Sequence, residues 1–154
     1  MKSGWAARLV VLACFAFLPR FIEAQSGQGQ RARSDAVTGS SLGQNYPNPV
    51  TTETTIPFAI GGAPECADPS RRYRVTLRVY NMLTQPIATP VLLSGSTGAG
   101  GGEPVRELSL GCGQYTAFWD GKHASSGRDA TSGIYLYRLE VDGRQLIGKM
   151  TVIR

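Results

Sequence analysis

Histidine is almost missing from this chain: His123 stands alone among 154 residues. It lies in a polar stretch with Ser125 and Ser126 close by and Asp120 and Asp129 on either side. A nucleophile, a base and an orienting group could be drawn from these residues only by arbitrary choice. An enzyme is therefore not expected, and no catalytic residue is assigned. Metal ligands are equally sparse. Cys14, Cys66 and Cys112 are too few and too widely spaced for a structural zinc site, and the aspartates do not follow the spacing of a calcium loop. No metal and no cofactor is expected.

Charge of one sign is also scarce. Sixteen basic and eleven acidic residues leave a formal charge of +5. The basic residues are scattered, apart from Arg31 and Arg33 and the run "RRYR" at Arg71 to Arg74. A nucleic-acid footprint would cluster the charge and interleave it with aromatics, so no nucleic-acid partner is expected. The apolar block "LVVLACFAFL", Leu9 to Leu18, is too short to span a bilayer as a helix, and no other segment approaches that length. Lys2 and Arg8 make a basic start, Pro19 follows the block, and "FIEA" leads to Gln25. Residues 1–24 thus read as a cleavable secretory signal with cleavage after Ala24, although Ile22 is larger than the residue usual three places back. A second reading takes "VLAC", Val11 to Cys14, as a lipoprotein processing box that would lipidate Cys14. Export would place Cys66 and Cys112 in an oxidising compartment, which favours a disulfide over two free thiols.

What the chain does have is alternation of period two. Residues 25–41 are rich in Gly, Ser and Gln, with too little apolar content to offset the entropy of ordering, and read as a flexible linker. From Leu42 onward the pattern changes. "TTIPFAI" places Ile56, Phe58 and Ile60 on one face, with Pro57 marking a sheet edge. "YRVTLRVY" sets Tyr73, Val75, Leu77 and Val79 against Arg74, Thr76 and Arg78. "PIATPVLL" reads as one weaker strand, broken by Pro86 and Pro90. The glycine-rich stretch Ser94 to Glu103 reads as a mobile loop, and no Lys-Ser or Lys-Thr pair follows it to make a phosphate cradle. "PVRELSL" supplies a short strand and "QYTAFW" another, with Tyr115, Ala117 and Trp119 on one face. "IYLYRLEV" alternates Tyr135, Tyr137, Leu139 and Val141 with Ile134, Leu136, Arg138 and Glu140. Asp142-Gly143 then makes a tight hairpin into the final strand. About seven short strands with almost no helix describe an all-β antiparallel sandwich spanning residues 42–154.

Three motifs stand out from this pattern. They are Asn45, Tyr46, Pro47, Asn48 and Pro49; Trp119, Asp120 and Gly121; and Ser132, Gly133 and Tyr135. Each has a structural reading: the prolines stiffen the lead-in to the first strand, the asparagines bond nearby backbone groups, Trp119 fills the core, and Gly133 supplies an angle that a Cβ would oppose. As a set, with the terminal "KMTVIR", they resemble the type A C-terminal sorting domain of the type IX secretion system. They also resemble the immunoglobulin-like domain related to the flagellar hook-assembly protein. This resemblance implies an immunoglobulin-like sandwich that is exported and read in the periplasm by an outer-membrane secretion machine. It further implies delivery to the cell surface or medium, with attachment to surface lipopolysaccharide. The terminal strand Arg144 to Arg154, with Lys149, is where such recognition would fall, by strand addition. A freestanding envelope binding or assembly module is the alternative. The chain departs from the family pattern at Thr84, where a glycine is usual, in its glycine-rich insertion, and in its Cys66/Cys112 pair.

Overall fold

The computed structural model describes residues 39–62, 65–95 and 101–154. The expected signal, Cys14 and most of the linker lie outside these residues, as does the centre of the glycine-rich loop. Among the described residues there are nine strands and one 3-10 turn, Glu65–Ala67. The strands are β1 Ser41–Leu42, β2 Thr54–Ile60, β3 Tyr73–Tyr80, β4 Pro86–Ala88, β5 Val91–Gly95, β6 Leu108–Leu110, β7 Gly113–Trp119, β8 Gly133–Val141 and β9 Arg144–Val152. They form two antiparallel sheets packed face to face. One has the order β1-β2-β7-β5 and the other β4-β3-β8-β9, with β6 also on β3.

Period-two alternation generates the core directly. Ile56, Phe58, Ile60, Tyr115, Ala117 and Trp119 point inward from the first sheet. Tyr73, Val75, Leu77, Val79, Tyr135, Tyr137, Leu139 and Val141 point inward from the second, and all are buried. Burying each large apolar side chain contributes roughly 1.5 to 3 kcal/mol. Across the β2–β7 pair, Phe58 lies opposite Tyr115 with the rings stacked at 5.5 Å.

Several expectations are revised. The strand count is nine rather than about seven, because β1, β4 and β6 are pieces of two or three residues. "PIATPVLL" is two strands, with β4 pairing in one sheet and β5 in the other. The chain crosses between the layers at Thr89-Pro90, where proline has no N–H to continue the ladder. The fold also begins before Leu42: Ser41 is in β1, and Ser40 Oγ accepts a hydrogen bond from Gly61 N at 3.1 Å. β2 is not the outermost strand, because β1 and Gly43 lie beyond it; Gly43 N donates to the Pro57 carbonyl at 2.8 Å. The amide that Pro57 lacks would have pointed to this lightly covered side, which is why proline is accommodated here.

Two turns behave as their sequences require. Asp142 and Gly143 both have positive φ, +47° and +83°, which fits the right-handed twist of the β8–β9 hairpin. Thr84 has φ +58°, so the backbone at this position takes the conformation that glycine adopts most readily. The Asn81 side chain fixes that turn by accepting hydrogen bonds from the amides of Leu83 and Gln85, each at 3.0 Å.

Cys66 and Cys112 form a disulfide with a Cα–Cα distance of 5.9 Å. It ties the turn after β2 to the turn between β6 and β7. Replacing both cysteines by alanine is expected to lower the unfolding free energy by about 3 to 4 kcal/mol, as measured by urea denaturation. A loss below about 1 kcal/mol would mean that the strand ladders already constrain this loop.

Candidate functional site: a strap and a carbonyl socket around the terminal strand

The motif residues become intelligible once the segment from Gly43 to Val50 is followed through space. It begins on the edge of β2, where Tyr46 and Thr55 exchange backbone hydrogen bonds of 2.9 and 2.8 Å. It ends on the edge of β9, where Val50 N donates to the Thr151 carbonyl at 2.8 Å and Ile153 N donates to the Val50 carbonyl at 2.9 Å. Val50 and Val152 form a parallel bridge. The segment is therefore a strap that leaves one sheet and joins the other. Pro47 and Pro49, both preceded by cis peptide bonds, lie where it crosses. Proline suits this crossing because a chain between two sheets has no ladder partner for an N–H.

Two asparagines and a tyrosine hold the strap. Asn45 is 2% exposed, and its Nδ2 donates to the Pro47 carbonyl and to Thr54 Oγ1, each at 3.0 Å. Asn48 does something its neighbourhood in sequence does not announce: its Oδ1 accepts a hydrogen bond from Thr151 N at 3.0 Å. From inside the core, the Tyr137 hydroxyl donates to the Gly43 carbonyl at 2.9 Å and accepts from Asn45 N at 3.3 Å. Burial pushes the Tyr137 hydroxyl above its ordinary pKa of 10.0, opposed by a smaller lowering from the Asn45 amide. The tyrosine reaches this far because it lies across Gly148 of β9. A Cβ at Gly148 would fall within 2.5 Å of the ring and hydroxyl atoms. The sequence reading missed both Tyr137 as an anchor and Gly148 as its groove. An isolated glycine inside an otherwise regular strand was the available signal.

The other two motifs converge on Arg154, the last residue of the sequence. Its guanidinium donates to the carbonyls of Thr51, Gly121 and Ala130, the last two at 2.8 and 3.2 Å, and lies 3.9 Å from the Asp129 carboxylate. Its backbone N donates to Ser132 Oγ at 2.9 Å. Gly121 is required twice over. Its φ is +70°, and a Cβ would meet both the Thr52 carbonyl and the Arg154 guanidinium at 2.3 Å. Asp120 supports the same turn by accepting from Lys122 N at 3.1 Å. Trp119, 2% exposed, packs its ring 6.0 Å from Tyr135 and donates Nε1–H to the Lys122 carbonyl at 3.0 Å. Tyr135 in turn donates its hydroxyl to the Thr131 carbonyl at 2.9 Å. Gly133 has φ +157° with open space where a Cβ would stand, so backbone angle is its only evident requirement.

The site's chemistry is that of a socket for a cation and a strand, built from main-chain oxygens. Lys149 is exposed on the outer face of β9; its carbonyl accepts from Gln44 Nε2 at 3.2 Å, and its side chain takes no part in the socket. His123 is partly exposed in the loop after Gly121, where it lines a shallow depression of about 390 Å³ with Phe118, Asp120 and Lys122. Among the described residues no group of three or more His, Cys, Asp or Glu could hold a metal ion. Among those residues no helix is long and apolar enough to cross a membrane. No protein-family model, curated protein or solved structure matches the chain.

Two predictions test this geometry. Arg154→Ala is expected to cost about 2 kcal/mol in urea denaturation, since charged donors contribute more than neutral ones. Arg154→Lys should recover little of that loss, because an ammonium cannot span the three carbonyls as a planar fork does. Tyr137→Phe is expected to lose about 1 kcal/mol at neutral pH. As pH rises past 10, the unfolded chain loses this proton before the folded one, so wild-type stability should decline there. In the phenylalanine variant that decline should be shallower; equal slopes in the two proteins would contradict the assignment.

Proposed function

We propose that this β-sandwich is a non-enzymatic export and surface-targeting domain whose terminal strand, Arg144 to Arg154, is the element an outer-membrane secretion machine reads. One observation supports the reading above the rest. Three stretches far apart in sequence all direct polar groups at the same four residues, Thr151 to Arg154. Asn48, Gly121 and Ser132 hold the end of the chain in one conformation, and a signal read by another protein has to be presented in a fixed shape. The resemblance of these motifs to a sorting domain points the same way. Export through the periplasm to the cell surface, with attachment to lipopolysaccharide, is what that resemblance implies.

A second reading draws on Arg154 itself. An arginine held by three carbonyls of its own fold suits a freestanding envelope binding or assembly module. The intact mass of the mature protein from its native host separates the two. A truncated end or a sugar adduct favours the sorting reading, whereas an intact, unmodified end favours the envelope module.

The sorting reading is tested by fusing Leu42 to Arg154 behind a signal peptide and a reporter, in a host that has the secretion machine. Surface display should disappear when the last ten residues are deleted. It should also fall with the exposed substitutions Lys149→Glu and Ile153→Asp, at unchanged melting temperature. Undiminished display in all three variants would overturn the proposal.

A further inference from the structure

A sheet edge is a template for another strand unless something covers it. Most edges of this sandwich are covered by its own chain. The β5 edge is met by Gly102 and Glu103 at Leu92, and β4 by Ala124 at Ile87. The outer edge of β9 is covered by the strap at Thr151 and Ile153, and Gln44 reaches the Lys149 carbonyl. The outward-facing residues of β9 are the odd-numbered ones, as the bonds of Thr151 establish. Among the described residues, the backbone groups of Gln145 and Ile147 and the amide of Lys149 have no partner on that side. β1, at the end of the facing sheet, comes close to β9. Ile147 is 63% exposed there.

We propose that this open stretch is a two-fold interface for a second copy of the chain, with β9 pairing antiparallel to β9 about an axis through Ile147. The register follows from what is already occupied. Outward-facing groups must meet outward-facing groups, so only odd-numbered residues can pair. Centred on Ile147, the pairing sets Ile147 against itself and Gln145 against Lys149 of the second copy, which uses all three open positions and opposes no like charges. A shift by two toward the C-terminus would set Gln145 against Thr151, whose N–H and C=O are taken by Asn48 and Val50. A shift the other way would set Lys149 against Gly143, in the hairpin turn, and leave two pairs. The strap thus acts as an end-stop. The contact is isologous, so it closes at two copies rather than propagating. Three residue pairs bury far less than a standard interface, so the dimer is weak.

The test is sedimentation equilibrium of the full chain carrying Cys14→Ser, from about 10 μM to about 1 mM, so that dissociation constants up to about 1 mM are read. The weight-average mass should rise from 16.5 kDa toward twice that value. Ile147→Pro removes only an outward N–H and should abolish the rise. Ile147→Glu, which opposes two carboxylates on the axis without touching the core, should weaken association at least tenfold. In the same background, oxidised Ile147→Cys should give a disulfide-linked dimer, because directly opposed Cα atoms are about 5.5 Å apart. Gln145→Cys should not. A wild-type chain that stays monomeric to about 1 mM overturns the proposal, as does association of either Ile147 variant equal to that of the wild type, or equal cross-linking at both cysteine positions. A chain that is monomeric yet displayed on the surface would overturn the dimer and leave the export reading standing.

Discussion

The parallel contact between Val50 and the end of β9 is the constraint on which the rest of the molecule turns. A two-layer sandwich has open flanks, and on this flank both sheets would end in a bare strand edge. The strap closes one end of it by spending its first half on β2 and its second half on the last residues of β9. Its crossing tolerates no ordinary ladder, which explains why two prolines and two asparagines occupy it. Tyr137 fastens the strap from within. Both partners of its hydroxyl belong to the strap, so withdrawal of the strap would exchange these hydrogen bonds for water and uncover the ring.

The second consequence is that Arg154 becomes structural. Arg154 places a charge among main-chain carbonyls that would otherwise face solvent at the close of three separate loops. Each carbonyl comes from a different stretch: Thr51 beyond the strap, Gly121 in the turn after β7, and Ala130 before β8. Disturbing any one of these loops is therefore felt at the last residue. Its contacts require that the segment after the strap, the turn after Trp119 and the loop before Tyr135 have all formed.

Much of this could be read in advance, and the failures have identifiable causes. The inward faces of β2, β3, β7 and β8 follow from alternation alone, because a pleated strand presents every second residue to the same side. The Asp142-Gly143 turn follows from the need for positive φ at two consecutive positions. The division of "PIATPVLL" between two sheets did not follow, since proline announces a break without saying where the chain goes next. Lys149 was named through the resemblance as part of the strand to be recognised; within the fold its carbonyl accepts from Gln44, a contact no local pattern announces. Gly148 and Tyr137 were passed over because each is unremarkable alone, and only their apposition across β8 and β9 makes the groove and the anchor.

Composition and periodicity thus determined the class of fold, the strands, the buried residues and the tight turns, because these depend on neighbours a few positions apart. The motif residues were recognisable as a set, but their tasks were not. Asn48 bonds Thr151 and Arg154 reaches Thr51 across 103 positions of sequence, and neither contact leaves any local periodicity to detect. Only the packed structure could assign them, because a hydrogen bond between distant residues exists by virtue of the path that brings them together.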